Sequence, residues 1–153
     1  MAGVCKDLPT SLARCAQALD DGSALAKFQE MVTAQGGAEN LTAAPCDVLP
    51  AAKHIYEICA DADGYVSCLD ARLIGEALRA LGGGRIKQDD KIDPAVAIQM
   101  CAKIGDMVHK NEVVLRVHYN TEEQLKNAAA YLADCITVSD RAEKRKLVID
   151  YFY

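Results

Sequence analysis

The chain has 153 residues, 51% of them apolar, and its 17 basic and 22 acidic residues leave a net charge of −5. That length and composition allow one proper core with a small helical appendage, and an acidic chain with no Lys/Arg cluster broken by aromatics argues against a nucleic-acid partner. No apolar run approaches the ~20 residues that span a bilayer, and the opening MAGVCKDLP lacks the long apolar stretch of a signal peptide, so the sequence reads as soluble and cytoplasmic with no membrane partner.

In residues 11–20, Leu12, Cys15, Ala16 and Leu19 recur at i, i+3, i+4, i+7, the stripe of an amphipathic helix. A second helix is expected from Ser23 as its cap, with Leu25, Phe28 and Val32 on one face, ending at Gly36 and Gly37. The pair makes a short hairpin with little core of its own, and it must pack on something. After the proline-bounded loop 45–50 the period changes. HIYEICA (54–60) and YVSCLD (65–70) read as two strands of a hairpin turning at Asp63-Gly64. Asp70 then caps a helix with Leu73, Ile74, Ala77, Leu78 and Leu81 on one face, ending at Gly82. Strands are expected in AVAIQMCA, EVVLRVHY and CITVS, and the TEEQ at Thr121 is a capping box opening another helix. The irregular interleaving favours an α+β domain over a doubly wound sheet. The expected division is a helical segment 1–44 and a main domain 45–153.

Seven cysteines, an odd number with no C-x-x-C spacing, are mostly set among apolar neighbours and read as free, buried thiols of a reducing compartment. His54, His109 and His118 are scattered singly, so no metal site is expected and no cofactor is called for.

Three stretches invite a site. GGGRIKQDDKID, residues 82–93, has the glycines and cations of a phosphate loop, but it follows a helix C-terminus, where carbonyls point outward, and leads into no new helix start. Helix termination followed by a flexible loop is the expected reading. CADADGYVSCLD places Asp61, Asp63 and Gly64 at calcium-loop positions, yet the first ligand position is Cys59 and the twelfth is Asp70 in place of a bidentate Glu. IGDMVHKNEVVLRVH, with Gly105-Asp106 and a turn at Lys110-Asn111, is similar to the edges of biotinyl and lipoyl carrier modules. Such a carrier needs its modified lysine at an exposed tip, and the nearest candidate, Lys103, lies inside an apolar, strand-like run.

Taken in order, DGSALAKFQEMVTAQGG, GYVSCLDARLIGEALRALGGGR, DDKIDPAVAIQMCAKIGDMVHKNEVVLRVH and ITVSD resemble the C-terminal part of the thymidine phosphorylase and pyrimidine nucleoside phosphorylase family. The resemblance runs from about Met1 to Asp140; AEKRKLVIDYFY fits it only loosely, Asn111 replaces a turn glycine, and Ala97 replaces a strand glycine. It implies an α/β-hammerhead-like domain of hairpins and two packed helices, preceded by two helices from the end of the catalytic domain. MAGV resembles the end of the long helix that closes that domain. It also implies phosphorolysis of a pyrimidine nucleoside, with the phosphate- and base-binding lysines, serines, threonines and arginines all in an N-terminal portion that has no counterpart here.

By the same resemblance, no catalytic residue is expected in this chain. The loop 82–94 should lie at the rim of the cleft between the lobes, with Gly83, Gly84, Arg85 and Asp89 as candidate contacts across it. The partner would be the missing N-terminal portion or subunit, with phosphate and nucleoside bound only in the completed enzyme. The alternative is an independent, non-catalytic binding or regulatory module.

Overall fold

The computed structural model describes residues 3–142. The chain separates into two compact units, Met1–Pro50 and Ala51–Tyr153.

The first unit is helical. Helix α1, Leu8–Asp20, begins a turn before the apolar stripe, because the Asp7 carboxylate accepts the Thr10 N–H at 2.8 Å and Pro9 suits the first turn, where an N–H would have no partner. Helix α2, Ser23–Ala34, corrects the sequence reading at its start: Ser23 is its first residue, not its cap, and Gly22 stands before it with φ +78°. The Asp21 carboxylate takes the Ser23 N–H instead, at 2.9 Å. Gln29 ties the following loop to α2 by donating to the Ala38 carbonyl and accepting from the Thr42 N–H, each at 2.9 Å. A four-residue helix, α3, Pro45–Val48, closes the unit. Neither α1 nor α2 has a buried residue. Residues 3–7 are bends and extended chain, not the end of a helix.

The second unit is α+β, with two three-stranded antiparallel sheets. One holds β1 (His54–Cys59), β5 (Val113–Tyr119) and β3 (Ala97–Met100), in that order across the sheet; the other holds β4 (Met107–Val108), β2 (Gly64–Leu69) and β6 (Ile136–Ser139). The hairpin expected over 54–70 is therefore corrected: β1 and β2 belong to different sheets. Period-2 patterning says that a segment is extended but not which strand it pairs with, and the longest apolar strand, β5, takes β1 as its edge. The chain crosses between sheets just after β1, where Ala60 donates to the Glu112 carbonyl and accepts from the Asn111 N–H, both at 2.8 Å. Asp63 serves as a clasp, taking the Lys110 N–H at 2.7 Å. Asn111 adopts φ +69°, the left-handed conformation that Asn tolerates better than other side chains.

Helices α4 (Ala71–Leu78) and α5 (Glu122–Ala133) pack on each other, and with the first sheet they enclose a core of Ala77, Leu81, Leu115, Val117, Ala128 and Leu132. Asp70 caps α4 by accepting the Arg72 and Leu73 N–H groups at 2.9 and 3.0 Å, and Thr121 with Gln124 forms the capping box of α5. A second, smaller core holds Val66, Val108 and Val114. One irregularity feeds both. Ile58 faces Leu115 but Cys59 faces Val113, so Val114 is a bulged residue, and consecutive Val114 and Leu115 are each fully buried in different cores. Gly64 is required by close approach: a Cβ there would stand 2.8 Å from the Ser139 carbonyl oxygen.

The buried-thiol expectation is also corrected. Of the seven cysteines, all free, only Cys135 is buried; Cys15, Cys46, Cys59, Cys68 and Cys101 are exposed. Around Cys59 and Cys101, at or just past strand ends, neighbouring side chains point to opposite sides, so the apolar residue is buried while the thiol faces out. Buried Ala60 follows exposed Cys59, and buried Ala102 follows exposed Cys101.

Candidate functional site

The loop 82–94 grows out of the end of α4. The helix closes through a wider turn over Arg79–Gly83, with Leu81 fully buried beneath it and Gly82 at φ +95°, a conformation that costs other residues strain. Gly83 packs so closely that a Cβ would lie 2.7 Å from Leu78 Cδ1, whereas Gly84 is extended. This is the helix terminus expected from the sequence, with carbonyls and not N–H groups leading into the loop.

The loop is tied at two places. At its base, the Gly82 carbonyl accepts the Asp93 N–H at 2.9 Å. The Asp93 carboxylate accepts from Asn120 Nδ2 at 2.8 Å, from the Ala95 N–H at 3.0 Å and from Gln124 Nε2 at 3.3 Å. These bonds, the Asn120 amide first, hold its carboxyl below the usual carboxylate range. Asn120 Oδ1 accepts the Lys53 N–H and Gln124 Oε1 accepts the Asn120 and Thr121 N–H groups, so one amide network joins the loop base, the start of α5 and the approach to β1. Nearer the tip, Asp90 accepts the Lys87 N–H at 2.7 Å and the Ile86 N–H at 3.0 Å; these bonds, that from Lys87 first, lower its carboxyl as well.

Between the two ties, Arg85, Lys87 and Asp89 are exposed, and among the described residues neither Arg85 nor Asp89 has a hydrogen bond or ion pair. By contrast, Arg79 is committed to Glu76 and Arg116 to Glu57, the latter at 3.0 Å. Ile86 and Ile92, 64% and 50% exposed, flank the charged tip. The structure thus presents two charged side chains of opposite sign beside uncovered apolar ones, on a loop whose root is fixed. Such a loop can bind across a gap; its Arg85, Lys87 and Lys91 are interspersed with Asp89, Asp90 and Asp93, so it is poorly equipped to hold a phosphate dianion by itself.

Residues 65–139, which contain this loop, match the family described as pyrimidine nucleoside phosphorylase C-terminal domain. The chain carries that phosphorylase domain. Relatives extend the match over most of the chain. A thymidine phosphorylase of Burkholderia orbicola (strain MC0-3) is 38% identical over 134 residues, covering 88% of this chain and 30% of that protein. A pyrimidine-nucleoside phosphorylase of Staphylococcus epidermidis (strain ATCC 12228 / FDA PCI 1200) is 36% identical over 143 residues, 91% of this chain and 33% of the relative. One of Staphylococcus aureus (strain bovine RF122 / ET3-1) is 34% identical over 148 residues, 97% and 34% respectively. This chain spans about a third of the length of the curated relatives it matches, and corresponds to their C-terminal part.

Within the phosphorylase domain, sequence reasoning found the loop and its exposed members but missed the residues that hold it. Asp90, Asp93 and Asn120 make its fixed contacts, and Gln124, recognised only as half of a capping box, has a second role. The available signal was an Asp directly before Pro94, a frequent turn-forming pair. The calcium-like stretch has another use here: Asp63 is engaged with Lys110, and Asp61 lies apart on a groove wall. Lys103 is corrected too, since β3 ends at Met100 and Lys103 is exposed in the turn before β4, its N–H held by Asp106 at 3.0 Å.

Proposed function

We propose that this chain is the C-terminal portion of a pyrimidine nucleoside phosphorylase and that its catalytic centre is completed by an N-terminal portion carried outside the sequence described here. In the completed enzyme, an oxygen of inorganic phosphate bonds to C1′ of the pentose, the bond from C1′ to the pyrimidine nitrogen breaks, and free base and pentose 1-phosphate are released. This chain supplies no catalytic residue. It supplies the loop 82–94, whose Arg85 and Asp89, with the backbone at Gly83 and Gly84, contact the other lobe across the cleft. It works in the cytoplasm, a reading favoured by seven cysteines free of disulfides; among the described residues no helix is long and apolar enough to cross a membrane.

The observation that carries this reading is the family match over 65–139 together with two amphipathic helices that bury nothing. Helices of 13 and 12 residues are marginal by themselves in water, so α1 and α2 need a surface to cover Leu12, Leu19, Leu25 and Phe28. The portion absent from this chain supplies that surface. Thymidine and uridine are both candidate substrates.

The test is phosphate-dependent release of free base from each nucleoside, by the chain alone and after mixing with the N-terminal portion of the S. aureus relative. The expected result is no turnover alone and turnover on mixing. Turnover by the chain alone would overturn the division of labour. Silence in both, with the two parts shown to associate, would favour an independent binding module.

A further inference from the structure

The loop 82–94 is rooted where β5 ends. His54 of β1 stands opposite Tyr119 of β5, so Lys53 and Asn120 are the next opposite positions. There the backbone ladder stops, because Asn120 already leads into α5 and its own N–H is taken by Gln124 Oε1 at 2.8 Å. The Lys53 N–H is accepted by Asn120 Oδ1 at 3.0 Å, so a side-chain oxygen carries the ladder one bond further. The other end of the same amide, Nδ2, donates to the Asp93 carboxylate at 2.8 Å. The Asp93 N–H in turn bonds the Gly82 carbonyl at 2.9 Å. One side chain thus ties the chain just before β1 to both ends of the loop.

The two bonds make opposite demands, and they fix the amide. Turned by half a rotation, its NH2 would face the Lys53 N–H and its oxygen would face the Asp93 carboxylate, so a single orientation satisfies both neighbours. Asn120, Asp93 and Gln124 are half-buried, where water competes less for such bonds, and the charged acceptor strengthens them. Gln124 also reaches Asp93, at 3.3 Å, but its other bonds stay at the start of α5. Among the described residues only Asn120 refers the loop root to the β1–β5 ladder.

We propose that Asn120 is the positioning residue of the loop 82–94: it sets the root against the sheet and so fixes where Arg85 and Asp89 are presented. This rests on the reading that the loop meets the other lobe, and it names what holds the loop ready for that contact. Asn120 acts through Asp93, not by reaching the other lobe itself.

Exchanging the polarity of the pair tests this on the full chain by itself, with amide exchange followed by NMR and corrected for intrinsic rates. Asn120→Asp keeps an acceptor for Lys53 but sets a second carboxylate against Asp93, and the Asp93 and Ala95 amides should exchange about tenfold faster. Asp93→Asn sets two amides face to face and should loosen the root as well. With both substitutions the bond is rebuilt in reverse. The new amide at position 93 donates to the new carboxylate at position 120, which still accepts the Lys53 N–H, and only the 3.3 Å bond from Gln124 is given up. Exchange should then return to within about threefold of the parent. Asn120→Asp therefore loosens the loop in the parent and tightens it in the Asp93→Asn chain, a reversal that loss of packing at position 120 does not produce. The amides of β5, central in its sheet, report whether the fold persists. Should Asn120→Asp alone lose them, the comparison of Asp93→Asn with the double variant still decides. Losses that add in the double variant, or a loop root that neither substitution loosens, would overturn the proposal. No N-terminal portion enters the experiment, so failure here would leave the phosphorylase reading to its own turnover assay.

Discussion

The two units of this chain share a patterning and differ in what they do with it. Helices α1 and α2 carry apolar stripes, as α4 does, yet Leu12, Leu19 and Leu25 are 61%, 74% and 56% exposed, whereas Leu81, one turn beyond α4, is fully buried. The difference lies in the partners. In the second unit two helices and two sheets close over each other; in the first, two short helices have no sheet to cover. An amphipathic stripe records that a surface will be covered, without saying by what.

The largest expected effect separates the units most cleanly. Leu115→Ala, in the middle of β5 and fully buried, should destabilise the second unit by about 3–5 kcal/mol, whereas Leu19→Ala should leave the chain within about 0.5 kcal/mol of its parent. Chemical denaturation of both variants decides this, and equal losses would mean that α1 is packed after all. Gly64→Ala comes next, at about 1–3 kcal/mol, because the new Cβ meets the Ser139 backbone rather than a side chain that can swing away. Thr121→Ala should cost about 1 kcal/mol through loss of the α5 capping box. Asp7→Ala, at the equivalent position of α1, should reduce local helicity without moving the main transition, which circular dichroism set beside denaturation would show.

Much of this architecture was legible in the residues. The caps at Asp70 and Thr121, the helix end at Gly82, five of the six strands among the described residues and the left-handed Asn111 all follow from short-range chemistry, where propensity and capping act within a few positions. Strand pairing was not legible. Every ladder here joins strands that are not consecutive, such as His54 with Tyr119, and a period-2 pattern is silent about partners so distant. The same limit hid the anchors of the candidate loop: Asp93 reaches Asn120 and Gln124 across 27 and 31 positions, and a local reading sees only an aspartate before a proline. The exposed members, Arg85 and Asp89, were singled out by the family resemblance, which places the loop 82–94 at a cleft rim; local patterning alone reads the stretch as a helix end and a loop.

The smallest expected effect concerns that anchor. Asp93 is held below the usual carboxylate range in the folded chain, so its contribution to stability is present above the unfolded value, about 3.9, and is lost as pH falls through the lower folded value. Asp93→Asn should therefore flatten the acid side of the stability profile, and should loosen the loop 82–94 as read by amide exchange. An unchanged acid limb would remove Asp93 from the account of the loop root.

The central claim is that the apolar faces of α1 and α2 are covered by the N-terminal portion of a phosphorylase. Its most direct measurement is sedimentation of this chain with that portion of the S. aureus relative, comparing the parent with a variant carrying Leu12→Asp and Phe28→Asp. A complex with the parent, lost in the variant while the second unit keeps its unfolding transition, is the predicted result. A complex that survives both substitutions, or none with either chain, would contradict it.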